Sequence, residues 1–307
     1  MSGTVILSQS MDLAQTLDCG QSFRWRETER GETFCVWEGI ARGRHLRIRQ
    51  ERDGLLLFCS QEEYEAVWRD YFDMETDYAA IRASLSAANP QLAQAAAFAP
   101  GIRILRQDAW EALASFLISQ NNNIPRIKGI IERFAALCGE EIEGGRAFPS
   151  VETVAGMTPE ELAPIRAGFR AKYITAAARA IVSGEVELDA IYQNDIEFGR
   201  QELQKIYGVG PKVAECALLY GFHKTEAFPM DVWMKRAMAV LFPGESPERF
   251  GSAAGIAQQY IFHYSRMHPA LFSQALAMHP QCLRGHDAAP ALTGSPRGDN
   301  LGIIRPR

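Results

Sequence analysis

Lys212 and Asp231 are the two residues whose types and spacing could do chemistry together. Lys212 follows Gly208-Val209-Gly210-Pro211 and opens an apolar run through Val213, Ala214, Ala217 and Leu218. In the first turn of a helix the positive end of the dipole disfavours a protonated amine, which favours a nucleophile. Asp231 stands nineteen residues on, in Phe228-Pro229-Met230-Asp231-Val232-Trp233, ahead of a second helical run with Met234, Ala237, Met238 and Leu241. Its plain role is a helix N-cap. Its sharper role is a carboxylate facing Lys212. An amine that attacks a glycosidic carbon needs an anion to stabilise the positive charge growing on the sugar. The two roles are compatible, because capping holds the carboxylate rigidly.

These residues need a scaffold of helix, tight hairpin and helix. Asp195 to Tyr207 carries Ile196, Leu203 and Ile206 within a polar run and supplies the first helix. Gly208 and Gly210 are free to take φ > 0 or to let another molecule approach closely. Pro211 suits the first turn of the next helix, and Gly221 its C-terminal cap. Exposed N–H groups at such a helix start can hold a phosphate. An ordinary helical hairpin with a solvated lysine fits this stretch equally well when it is taken alone.

The rest of the chain divides in composition. Residues 1 to about 95 hold short β-like runs at Val5-Ile6-Leu7, Phe34-Cys35-Val36-Trp37, Leu46-Arg47-Ile48 and Leu55-Leu56-Leu57-Phe58. Turn signals separate them, which gives a small antiparallel sheet. Asp12 to Leu17, Glu62 to Tyr71 and Tyr78 to Ala88 are helical in pattern. Asp108 to Gln120 is an amphipathic helix broken by Asn121-Asn122-Asn123, and Pro125 opens the next. Thr158-Pro159-Glu160-Glu161 has the form of a capping box. An alanine-rich helix ends near Gly184, and Pro247 to Met267 is a further helix. The fold class is α+β, with an N-terminal sheet domain over 1–95 and a mostly helical core over 96–280. From about Gln281 to residue 307 the chain lacks periodicity and is rich in Gly, Pro and Arg, the composition of a disordered tail.

Composition excludes several classes. Apolar content of 47% and charged content of 22% are globular values. No apolar run is long enough to span a membrane, and no signal peptide pattern opens the chain. The six cysteines at 19, 35, 59, 138, 216 and 282 contain no C-x-x-C pair, so neither a zinc site nor an iron–sulfur cluster is indicated. The net charge of −5 argues against a protein that coats DNA. Affinity for phosphate comes from local basic groups, however. Three basic runs exist: Arg24 to Arg52; Arg126, Lys128 and Arg133; and Arg166, Arg170, Lys172 and Arg179.

Four stretches in a fixed order carry a resemblance. They are Cys19-Gly20-Gln21-Ser22-Phe23-Arg24-Trp25-Arg26, Leu117-Ile118-Ser119-Gln120-Asn121-Asn122-Asn123-Ile124-Pro125-Arg126, the Gly-Val-Gly-Pro-Lys-Val-Ala-Glu-Cys hairpin, and Pro229-Met230-Asp231-Val232. Together they resemble the helix-hairpin-helix (HhH-GPD) DNA glycosylases, and within them the 8-oxoguanine DNA glycosylase/AP lyases. The likeness covers roughly residues 4 to 265. It implies base excision repair: duplex DNA containing 8-oxoguanine opposite cytosine as partner, a flipped base, Lys212 as Schiff-base nucleophile and Asp231 as stabiliser. The Gly20 carbonyl would accept N7–H of the lesion, which guanine lacks. Cys216 and Phe262 would lie on the two faces of the base and Gln258 on its Watson–Crick edge. Asn121 would fill the gap left by the flipped base, and Arg126 and Arg170 would read the orphaned cytosine beside a Phe169 wedge. Gly208 and Gly210 would meet the DNA backbone.

The resemblance implies no redox cofactor and no catalytic metal, though a structural cation at the hairpin carbonyls fits the family. A monomer suffices for this chemistry. The expected location follows the DNA: nucleoid and cytoplasm in a bacterium, nucleus in a eukaryote. The chain departs from the family pattern at two places. Tyr207 stands where a proline often precedes the hairpin. Trp233 replaces a histidine that touches the phosphate beside the lesion. The alternatives are a monofunctional alkylated-base glycosylase, which lacks the lysine, and a non-catalytic DNA-binding module that uses the hairpin only for grip.

Overall fold

The computed structural model describes residues 4–7 and 11–272. The tail expected from Gln281 lies outside the described residues.

The N-terminal part is a five-stranded antiparallel sheet, as its alternation predicts. Its strands are β1 (Val5–Leu7), β2 (Trp25–Arg30), β3 (Cys35–Ala41), β4 (Arg44–Glu51) and β5 (Gly54–Leu57), in the order β1-β5-β4-β3-β2. On β4, Leu46 and Ile48 are buried while Arg47 and Arg49 between them face outward, the period-two pattern of a half-buried strand. The short helix α1 (Leu13–Leu17) is capped by Asp12. Strand β2 was not legible beforehand. Its sequence Trp-Arg-Glu-Thr-Glu-Arg is charged, as suits an edge strand, and only Trp25 is buried. Trp25 packs with Trp68, Tyr71 and Phe72, and its Nε1 donates to Tyr71 Oη at 2.9 Å.

The helical run expected over Glu62–Tyr71 is present and starts at Gln61, but its middle, Tyr64–Trp68, is a π-helical turn. Tyr64, Trp68, Tyr71 and Phe72 all enter the sheet's core. That core stops at Met74, apart from Leu105. Helices α2 (Tyr78–Ala88) and α3 (Pro90–Phe98) belong to the other core, with Leu85, Leu92, Ala95 and Ala96. The two cores therefore part between Met74 and Tyr78 rather than near residue 95.

The helical part continues with α4 (Ala109–Ser119), α5 (Ile124–Cys138), α6 (Arg170–Val182), α7 (Ile196–Gln204), α8 (Pro211–Tyr220), α9 (Val232–Leu241) and α10 (Ala254–Met267). Side-chain caps open most of them: Asp108 for α4, Asn123 for α5, Asp195 for α7 and Asp231 for α9. Two expectations need correction. Thr158 and Glu161 do form the reciprocal bonds of a capping box, but turns and a short 3-10 stretch, Ala163–Ile165, follow it. The helix expected over Pro247–Met267 is broken. Pro247–Ala253 is a 3-10 segment with Gly251 at φ 56°, and α10 begins only at Ala254.

Helix α10 crosses α8 at Gly255. Its N–H donates to the Thr225 carbonyl at 2.7 Å. A Cβ added there would come 2.3 Å from the Leu219 side chain and 2.8 Å from the Ala227 carbonyl. Gly255→Ala is therefore expected to lower stability by about 1–3 kcal/mol through overpacking against backbone, measured as a lower urea midpoint at unchanged slope.

Candidate active site

The hairpin forms where the sequence places it, but its glycines differ. Gly208 has φ +94°, and a Cβ there would come 2.3 Å from the Tyr173 ring. Gly210 has φ −95° and ψ 178°, ordinary extended backbone rather than a second positive φ. A Cβ there would meet nothing within 4 Å, so bareness at Gly210 matters only to something outside the protein. Gly210 caps α8 with no side chain, and Pro211 follows it. The first N–H groups of α8 thus lack a side-chain acceptor at an exposed helix start.

Lys212 is half-buried in that first turn. Its Nζ donates to Ser119 Oγ at 3.3 Å and stands 5.1 Å from the centre of the Phe116 ring. Asp231 caps α9, its Oδ1 accepting the Met234 N–H at 2.7 Å. Cys216, one turn beyond Lys212, is buried, and burial pushes its thiol up to about 11. The Lys212 amine pulls it down and the Asp231 carboxylate pushes it further up. Amine and carboxylate are both within electrostatic reach of this one buried thiol.

The connection that delivers Asp231 is clamped. Glu215 accepts Arg200 Nε at 2.6 Å and the Phe228 N–H at 2.7 Å. Gln258, buried on α10, donates to the Pro229 carbonyl at 3.3 Å. Phe262 lies one turn further along α10. Its ring would be 3.3 Å from a Cβ on Gly20, whose φ is +90°. Gly20, Lys212, Cys216, Asp231, Gln258 and Phe262 come from three parts of the chain, which the contacts of Phe262 with the Gly20 loop and of Gln258 with the connection to Asp231 tie together. A cavity of about 570 Å³ lies elsewhere, between the sheet and α5, and none of these six residues lines it.

The other predicted residues form a surface next to this region. Of the three asparagines, Asn123 caps α5 and Asn122 bonds to the Ile118 carbonyl. Asn121 is exposed at φ +47°, and among the described residues its side chain forms no hydrogen bond. Arg170 is buried rather than presented. Its guanidinium holds the carbonyls of Gln120, Ala167 and Asn121. It supports the Asn121 turn from beneath. Arg126 is exposed nearby, and Phe169 is half-exposed with the Arg170 guanidinium 4.4 Å from its ring centre. Gln120 Nε2 donates to the Gly208 carbonyl at 3.1 Å, which ties this loop to the hairpin. Tyr207, on the hairpin, packs edge-on against Tyr173, which in turn packs against Phe169. Among the described residues no group of His, Cys, Asp and Glu side chains converges as a metal site, and no helix is long and apolar enough to cross a membrane.

Residues 4–113 match the family described as 8-oxoguanine DNA glycosylase, N-terminal domain, and residues 114–249 match the HhH-GPD superfamily of base excision DNA repair proteins. The N-glycosylase/DNA lyase OGG1 of Arabidopsis thaliana is 30% identical over 284 residues, covering 82% of this chain and 76% of that protein. The chain belongs to the 8-oxoguanine DNA glycosylase family of HhH-GPD repair proteins. Its fold agrees. The Clostridium acetobutylicum 8-oxoguanine glycosylase/lyase, solved with duplex DNA containing cytosine opposite 8-oxoguanine, superposes with a TM-score of 0.80 at 37% identity, over 87% of this chain and 96% of that one. A probable N-glycosylase/DNA lyase of Methanothermobacter thermautotrophicus is 28% identical over 83% of this chain and 93% of that protein.

Sequence reasoning missed Ser119, Glu215, Gln120 and Gln259. Ser119, Gln120 and Glu215 lie inside the motifs but carry no chemical signal of their own.

The hairpin and its clamp make three substitutions informative. Gly208→Ala is expected to destabilise the fold by about 1 kcal/mol or more through its positive φ and the Tyr173 contact. Gly210→Ala should leave the melting temperature unchanged yet weaken binding to duplex DNA in a salt titration. Glu215→Ala leaves the Phe228 N–H and Arg200 without their acceptor, which should cost about 1–3 kcal/mol in denaturant unfolding.

Proposed function

We propose that this DNA glycosylase/lyase excises 8-oxoguanine paired with cytosine and that Lys212 carries the reaction covalently. The observation that supports this most is the half-buried Lys212 in the bare first turn of α8, within electrostatic reach of the same Cys216 thiol as the carboxylate that caps α9. The monofunctional alternative has no use for an amine in that position.

In this reading the duplex lies across the hairpin and the Asn121 turn. Phosphate oxygens meet the bare start of α8 and its lysine-bearing first turn. Asn121 enters the gap in the stack, with the Phe169 ring beside the unpaired cytosine and Arg126 within reach of its edge. Flipping the lesion costs a few kcal/mol, which these groups offset. The extruded base rests between Phe262 and the Cys216 face, with Gln258 on its Watson–Crick edge. The Gly20 carbonyl accepts N7–H. Guanine would bring a lone pair against the same oxygen.

The neutral Lys212 amine attacks C1′. The N–C1′ bond forms as the bond to N9 breaks, and the electron pair leaves with the base, which takes up a proton. Asp231 stabilises the positive charge on the sugar in between. Loss of the amine proton and opening of the sugar ring give a Schiff base. Removal of a C2′ proton then expels the 3′ phosphate by β-elimination and nicks the strand.

Incubation with an 8-oxoguanine:cytosine duplex and borohydride should trap a covalent protein–DNA adduct on a denaturing gel. Lys212→Gln should abolish adduct, base release and nicking. Asp231→Asn, which keeps an N-cap residue, should still bind DNA but lose about a hundred-fold or more in turnover. Full base release by Lys212→Gln would sink the covalent mechanism.

A further inference from the structure

We propose that Gln259 is a positioning residue for lesion recognition: it fixes the peptide plane that precedes the Gly20 carbonyl. This rests on the reading above, in which that carbonyl distinguishes 8-oxoguanine from guanine.

Gln259 is fully buried on α10, and its side chain bridges two parts of the molecule. Its Nε2 donates to the Cys19 carbonyl at 3.0 Å, and its Oε1 accepts the Tyr220 hydroxyl at 2.6 Å. Tyr220 lies at the end of α8, two turns beyond Lys212, and is itself buried. Burial holds its hydroxyl well above the ordinary tyrosine range, so it remains a donor. The Cys19 carbonyl can only accept, so the NH₂ must face it, and the amide oxygen then faces the Tyr220 hydroxyl, which donates to it.

The bond acts on Gly20 through the geometry of the chain. A peptide unit is planar, so holding the Cys19 oxygen holds the Cys19–Gly20 plane. On the other flank, Gln107 Nε2 donates to the Gln21 carbonyl at 2.7 Å, which holds the Gln21–Ser22 plane. The Gln21 side chain is fixed as well. Its Nε2 donates to the Thr16 and Arg103 carbonyls at 2.8 and 2.7 Å, and its Oε1 accepts the Leu105 N–H at 2.9 Å. Between these two held planes lies the Gly20–Gln21 peptide, which carries the discriminating oxygen. Among the described residues no hydrogen bond reaches that oxygen. Glycine permits a wide range of φ and ψ, so nothing intrinsic to residue 20 stops this plane from rotating. Its neighbours do, and on the Cys19 side the holding group is Gln259.

A carbonyl free to turn away from guanine N7 would no longer repel it, and one free to turn away from 8-oxoguanine would no longer accept its N7–H. Cleavage of an abasic site offers no base to that carbonyl, so it is indifferent to the brace. This contrast separates a positioning role from a structural one.

The test compares single-turnover base release from an 8-oxoguanine:cytosine duplex with strand cleavage at a preformed abasic site opposite cytosine, in the full chain. Gln259→Leu should slow base release by about ten-fold, the loss expected for one buried hydrogen bond, and leave abasic-site cleavage within about two-fold. Its preference for binding the 8-oxoguanine duplex over an undamaged guanine duplex should fall with it. Tyr220→Phe keeps the ring and removes the bond that holds the amide oxygen. It should show the same selective loss at smaller size, and it decides the matter if Gln259→Leu does not fold. An equal fall in both activities, or no fall in either, would overturn the proposal. A wild-type protein that cleaves abasic sites but leaves 8-oxoguanine in place would overturn the substrate reading instead, and this inference with it.

Discussion

The placement of Lys212 and Asp231 depends on one partly buried carboxylate. Glu215 joins three pieces: Arg200 on α7, its own helix α8, and the Phe228 N–H in the connection to α9. Ten residues separate Tyr220 from Asp231 without a helix or strand, and such a stretch has many conformations to lose. A charged acceptor is about twice as strong as a neutral one, and at 14% side-chain exposure it is little screened. Held there, the segment can only run on past Pro229, which Gln258 fixes, into the Asp231 cap. Two helix N-termini then approach one region, and their positive dipole ends favour the carboxylate and the phosphates they would meet.

The acidic net charge is reconciled with a DNA substrate by where the arginines go. Half of the eight arginines in the Arg24–Arg52 run turn to nearby glutamates or to the Arg146 carbonyl: Arg30 to Glu27, Arg47 to Glu38, Arg49 to Glu51, and Arg24 to that carbonyl. Such exposed pairs contribute little stability, but they do remove those charges from any external field. Arg133, Arg170 and Arg179 brace backbone carbonyls. Arg126, Arg166 and Lys172 are exposed and, among the described residues, form no salt bridge. They stand on the same elements as Asn121 and Phe169. A local basic surface on an acidic protein follows, and it is the local field that steers a phosphate backbone.

The sequence made the chemistry more legible than the fold that supports it. Asp231 as cap, Pro211 at the helix start and Asn123 as cap follow from local rules, because each residue's signal lies within one turn of its effect. Strands β1, β3, β4 and β5 were visible as apolar runs, and β2 was not, since its charged sequence Trp-Arg-Glu-Thr-Glu-Arg carries no apolar period. Helix α3 was missed because it is rich in alanine and glutamine and shows little amphipathic contrast. The break before α10 depends on Gly251, whose φ of 56° only tertiary packing imposes. Arg170 shows the limit most clearly. Its motif position names a cytosine reader, while burial makes it the support of the Asn121 turn, and nothing in the local sequence distinguishes a presented guanidinium from a buried one.

What the local rules could not show is how irregular backbone is held around the recognition loop, and there glutamine recurs for a physical reason. Its side chain carries one carbonyl and one NH₂, the same donor and acceptor as a peptide, so it can act as a surrogate strand where no ladder exists. Gln15 accepts the Gly101 N–H, and Gln50 accepts the Leu13 N–H. Gln21 and Gln107 hold each other's surroundings between the Gly20 loop and the extended segment at 103–107, and Gln120 reaches the hairpin. A neutral amide satisfies the buried backbone without adding a charge of its own. Asp73 supports the same segment with a charged group. Burial would raise its carboxyl, but His223, Tyr78 and Arg106 together hold it well below the usual carboxylate range. Tyr78, bonded to Asp73, in turn accepts the Ile104 N–H at 2.9 Å. The 103–107 segment that holds the Gly20 loop is thus itself held by the neutral amide of Gln21 and by the network of Asp73, Tyr78 and Arg106.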